Sequence, residues 1–147
     1  MIHVELANLQ DVLPVNSRLF RRAVRMVLRD AGVLDAIVSL AVVDDTTMRR
    51  LHRRYLGEDS ATDVLSFLLE KDQQMLEGEI VVGAETACRQ APHFGWTPAE
   101  ELLLYVIHGA LHLVGYEDRT PRARGLMHRR QTEYLARLGL RRPVKGE

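Results

Sequence analysis

The strongest constraint on this chain is an alternation of local signals. Short apolar runs rich in β-branched residues recur between stretches whose apolar residues fall three and four apart. Residues 2–7 (IHVELA), 38–43, 62–69 (TDVLSFLL) and 77–82 read as strands. Residues 14–31, 44–55, 84–94, 97–115 and 121–138 read as helices. In the first helix Phe20, Ala23, Val24, Val27, Leu28 and Ala31 form one stripe, Arg18, Arg22, Arg25 and Arg29 lie opposite, and Gly32 ends it. Asp44 or Asp45 caps the second, and Thr97, Pro98 and Glu100 open the fourth. The order β, α, β, α, β, β, α, α, α predicts an α/β (α+β) fold in a single domain over residues 1–147, frayed at 142–147. A mixed sheet of about four strands would be covered by about five helices, with TDVLSF and GEIVV as antiparallel neighbours.

The length suits one core, and 46% hydrophobic with 27% charged residues is ordinary for a soluble chain. No apolar run approaches the ~18 residues needed to span a bilayer, and the N-terminus lacks the pattern of a signal peptide. A lone cysteine, Cys88, fits a reducing compartment, so no membrane and a cytoplasmic location are expected. Net charge is zero but segregated: residues 119–147 carry nine basic side chains against two acidic, and 18 of the 20 basic residues are arginine. Arginine forks onto phosphate, so Arg122, Arg129 and Arg130 are candidate nucleic-acid contacts. A solvated helix face is the competing explanation.

The segment HGALHLVGYED, residues 108–118, carries the chemistry. His108 and His112 are four apart on a helix and share a face, a spacing at which two imidazoles can bind one divalent ion. Gly115 can end the helix and let the chain turn back with a third donor. Asp118, Glu117 and, less directly, His128 compete for that place. Two histidines and a carboxylate suit zinc first and other divalent metals as well. The helix is zincin-like, yet Gly109 stands where those peptidases carry a glutamate base, which argues against peptide hydrolysis. Asp63 and Ser66 are candidates for the cleft. Thr62 is assigned to local hydrogen bonding, Trp96 and Met127 to packing, Cys88 to the interior, and His3, His52 and His93 to the surface.

HGALHLVGYED closely resembles the H-G-x-L-H-L-x-G-Y-D-H signature of the YbeY endoribonucleases, the rRNA maturation factors. TDVLSF and GEIVVGAETA resemble two further blocks of that family, and Met127 and Gln131 fall where it has Met and Gln. The resemblance runs from about Leu51 to Tyr134. It implies a mixed α/β sandwich and one divalent ion per chain, Zn2+ by preference, held by His108, His112 and, in place of a third histidine, Asp118. These three would be the catalytic residues. It also implies cleavage of single-stranded RNA, with rRNA and the small ribosomal subunit or its proteins as partners, in rRNA 3′-end maturation and ribosome quality control. Leu56 stands where most members have an arginine, for which Arg53 and Arg54 are the nearby substitutes. The alternative is a ribosome-assembly factor without catalysis, whose metal site is structural.

Overall fold

The computed structural model describes residues 1–141. The expected frayed end lies outside the described residues. In chain order it has β1 (Ile2–Leu9), α1 (Ser17–Asp30), β2 (Asp35–Val43), α2 (Asp45–Leu56), β3 (Val64–Lys71) and β4 (Met75–Gly83). Then follow α3 (Ala84–Gln90), a 3-10 turn (Ala91–Phe94), α4 (Pro98–Leu113) and α5 (Pro121–Arg137). The sheet order is β1-β2-β4-β3. β1 and β4 run parallel to β2, while β3 runs antiparallel to β4 with a bulge between Leu68 and Glu70. A parallel pair needs a crossover, which α1 supplies between β1 and β2.

Alternation along the strands decides what each sheet face meets. Val4, Val38, Leu40, Val42, Ile80 and Val82 point into the main core with α1, α3 and α4. Leu65, Val81 and Val43 point the other way, onto Met48 and Leu51 of α2. α4 is the central helix, touching α1, α3, α5, β3 and β4. Eleven of its 16 residues are buried, which explains why its sequence is apolar on nearly every side. It starts at a capping box: the Thr97 hydroxyl accepts from the Glu100 N–H, and the Glu100 carboxylate accepts from the Thr97 N–H.

α4 lies very close to the sheet. A Cβ on Gly109 would stand 2.6 Å from Ile80 Cγ2, and one on Gly78 would stand 2.8 Å from Leu113 Cδ2. The Ser66 hydroxyl donates to the Gly109 carbonyl at 3.0 Å, tying helix to strand.

Three expectations change. The helix over 84–94 is divided, because Pro92 cannot continue it and the chain tightens into the 3-10 turn. His52 is buried rather than at the surface, because the loop after α2 folds over it and the Ser60 carbonyl lies 3.0 Å from Nδ1. Cys88 is only half-buried. Trp96 and Met127 are buried, as their packing roles require.

Candidate metal centre

α4 and the turn behind it build the site. His108 and His112 project from one face of α4, each about three-quarters buried. The helix ends at Gly115, whose φ of +102° is one that a side chain rarely adopts. The Gly115 N–H donates to the His112 carbonyl at 3.1 Å, and the Tyr116 N–H donates to the Leu111 carbonyl at 3.0 Å. This pair of bonds is a Schellman turn, and it sends the chain back so that Asp118 returns to the histidines.

The three donor atoms converge. His108 Nε2 and His112 Nε2 are 2.9 Å apart. Asp118 Oδ2 lies 3.6 Å from the first and 3.5 Å from the second. Two donors sharing one tetrahedral zinc at ordinary bond lengths stand roughly 3.3 Å apart, and the three separations bracket that value. His108 Nδ1 donates to Gln131 Oε1 of α5 at 2.5 Å, which leaves Nε2 with its lone pair toward the cluster. A cation between two imidazole nitrogens and a carboxylate oxygen removes their mutual repulsion, so the donor set fits a divalent ion. Glu117 and His128, the competing third donors, are exposed and stand outside this group.

The cluster opens onto a cavity of about 330 Å³ whose lining includes His108, Asp118 and Gln131. Asp63 also lines it, its Oδ1 accepting from the Val64 N–H at 2.8 Å. Gly109 faces the sheet, so a glutamate there would meet Ile80 and Ser66 instead of substrate. The missing peptidase base thus follows from packing.

Five arginines were singled out from the sequence, and among the described residues none lines this cavity. On α2, Arg53 pairs with Asp59 at 2.7 Å, and Arg54 lies over the Tyr55 ring. Leu56 is exposed. On α5, Arg122 and Arg129 face solvent. Arg130 binds Glu133 at 2.6 Å and the Tyr134 hydroxyl at 3.2 Å, and packs over the rings of Tyr116 and Tyr134. The arginine that does line the cavity is Arg124, which the sequence reading passed over. Arg124, His128 and Gln131 fall at i, i+4 and i+7, and this shared face was the available signal.

α5 is fastened to α1 at its far end. The Tyr134 hydroxyl donates to Asp30 Oδ2 at 2.8 Å, and Arg137 bonds the same oxygen. Burial, with this hydrogen bond to a carboxylate, pushes the Tyr134 phenol up to about 12. Burial acts to raise Asp30, but the hydrogen bonds from Arg137 and Tyr134 outweigh it and hold the carboxyl below its usual range.

A mixed α/β sandwich that sets two imidazoles and a carboxylate within reach of one cation, beside an open cavity, is an arrangement that metal-dependent hydrolases use, with the donors carried on a helix and the turn behind it. A model of the family Endoribonuclease YbeY matches residues 5–139. The Endoribonuclease YbeY of Pelotomaculum thermopropionicum is 35% identical, over 95% of this chain and 99% of its own length. That of Desulforamulus reducens is 37% identical over 92% and 96%. That of Rhodopirellula baltica is 39% identical over 75% of this chain and 58% of its own length. The solution structure of TM1509 from Thermotoga maritima superposes with a TM-score of 0.62 at 26% identity, covering 92% of this chain and 91% of that one. The chain belongs to the YbeY endoribonuclease family, and with it to the hydrolases.

Proposed function

We propose that this protein is a metal-dependent endoribonuclease acting on single-stranded RNA, with His108, His112 and Asp118 holding one divalent ion, zinc by preference. The observation that carries the reading is the convergence of those three donors beside an open cavity. A bound ion supplies Lewis acidity toward a phosphoryl oxygen. The chain's own residues do the rest. Gln131 fixes the tautomer and orientation of His108. The Gly115 turn delivers Asp118. Asp118 also puts a negative charge in the donor set, which tempers the acidity of anything bound there. Exposed Arg122 and Arg129 on α5, with Arg54 on α2 and with Arg53 once it leaves Asp59, offer positive charge to an RNA backbone outside the cavity.

We assign the protein's work to rRNA 3′-end maturation and ribosome quality control in the cytoplasm, alongside the small subunit, as one domain over residues 1–147. Among the described residues no helix is long and apolar enough to cross a membrane. The other reading, an assembly factor with a structural metal, calls for a closed fourth ligand. Among the described residues the donor group has three members, with His128 and Glu117 outside it, and this favours catalysis.

The test is metal content and cleavage together, on protein purified without chelators or a histidine tag. We expect about one zinc-like ion per chain, and cleavage of single-stranded RNA that is lost on chelation and in His112→Ala. Full cleavage after rigorous metal removal would sink the metal-dependent reading. Bound metal with no cleavage would favour the assembly factor.

A further inference from the structure

We propose that Arg124 is the residue that anchors the substrate's phosphate in the cavity; this rests on the nuclease reading above and names the contact that makes the cavity accept an anion. The cavity is lined by three carboxyl groups, those of Asp63, Glu101 and Asp118. A phosphodiester brings another negative charge into those walls, and one ion held by the donor group cannot face it from every side. Arg124 is the one arginine or lysine in the cavity lining among the described residues.

Its surroundings leave it ready for that task. One Nη1 hydrogen donates to the Asp118 backbone carbonyl at 3.2 Å, which parks the guanidinium beside the donor group without neutralising it. A guanidinium has five N–H donors, so most of the fork is available for phosphate oxygens. No carboxylate pairs with Arg124 among the described residues, whereas Arg53, Arg89, Arg130 and Arg137 are each matched to one. The same face of α5 carries Gln131, which holds His108. Docking α5 therefore sets the ligand-orienting group and the anion-anchoring group in a single act, about two helical turns apart.

The experiment compares the metal-loaded wild type with Arg124→Ala and Arg124→Lys. Three quantities are read: metal per chain, cleavage of a single-stranded oligoribonucleotide, and the salt dependence of binding to its phosphorothioate analogue, with the analogue's integrity checked on a gel. We expect unchanged metal content, kcat/KM lower by ~10²-fold or more in Arg124→Ala, a binding slope shallower by about 0.7, the value of one single-strand phosphate contact, and partial recovery in Arg124→Lys. Unchanged cleavage and slope in Arg124→Ala would overturn the assignment. Loss of metal in that variant would overturn it too, because Arg124 would then be a support for the Asp118 turn. A wild type that binds the analogue through Arg124 but cleaves no RNA would leave the phosphate contact standing and remove the nuclease reading. A wild type that neither binds nor cleaves would remove both.

Discussion

Gln131 and Gly109 govern the site from outside the donor set, and each yields a test. Gln131 is buried and its Oε1 accepts from His108 Nδ1. Truncating such an outer partner typically costs ~10–100-fold in metal affinity. Gln131→Ala should show that loss in competition with a chromophoric chelator; unchanged affinity would mean that α4 alone orients His108. Gly109→Ala forces a methyl against Ile80, a fully buried branched side chain on a strand that has nowhere to move. We expect about 1–3 kcal/mol of destabilisation in denaturant unfolding. Gly125→Ala is the matched comparison. It lies inside α5 with nothing within 4 Å of the new Cβ, so it should stabilise by about 0.4–1 kcal/mol. Equal effects of the two substitutions would show that the helix–sheet approach is not what Gly109 serves. The histidine pair and the Gly115 turn were legible in the sequence because helix spacing and turn geometry are local rules, whereas Asp118 was separated from Glu117 and His128 only by the family resemblance. Gln131 was legible only through the family resemblance, and Arg124 only as a member of the face it shares with His128 and Gln131, since their meeting with α4 depends on how α5 docks.

That docking is a property of the element. α5 is a polar helix that buries only Met127, Gln131, Tyr134 and Leu135, so its placement leans on the cluster of Tyr134, Asp30 and Arg137. The two pKa shifts give opposite pH edges. Tyr134 is raised from 10.0 to about 12, so its contribution is fully present below pH 10 and fades as pH rises toward about 12. Asp30 is lowered, so its contribution is present above the ordinary carboxylate value and fades as acid protonates it below that value. Tyr134→Phe keeps the ring but removes the phenol. Unfolding midpoints of the variant should therefore fall less than those of the wild type between pH 10 and 12. Parallel curves would show that Tyr134 does not couple folding to alkaline titration. At this scale the sequence predicted every α-helix and strand by type, and read the 3-10 turn Ala91–Phe94 as the end of α3. One error was local, the division of the 84–94 helix at Pro92, and the others came where tertiary contacts decide. β2 begins three residues early because it pairs with β1 from Ile2 and with β4 from Met75, and His52 is buried by a loop that no periodicity describes.

Across the whole molecule, strand order β1-β2-β4-β3 was beyond the sequence, because parallel neighbours are joined by crossovers that leave no local mark. Only the β3–β4 pair, joined by a short connection, could be foreseen. Charge segregation was foreseen, but the structure changes its weight. Residues 119–147 carry most of the positive excess, yet the arginines of α5 are not equivalent. Arg122 and Arg129 are exposed, while Arg130 is committed to Glu133 and to two aromatic rings. Each phosphate contact on a single strand contributes about 0.7 to the slope of log affinity against log salt. Replacing Arg122, Arg129 and Arg130 together would flatten that slope by roughly 2 if all three touched phosphate. Because Arg130 is internally paired, we expect roughly 1.4 instead, and Arg130→Ala alone should lower the melting temperature while leaving the slope nearly unchanged. A fall of about 2 would mean that RNA pulls Arg130 out of its aromatic seat. No change at all would make the α5 arginines a solvated face, and binding would then rest on the cavity and on the arginines of α2.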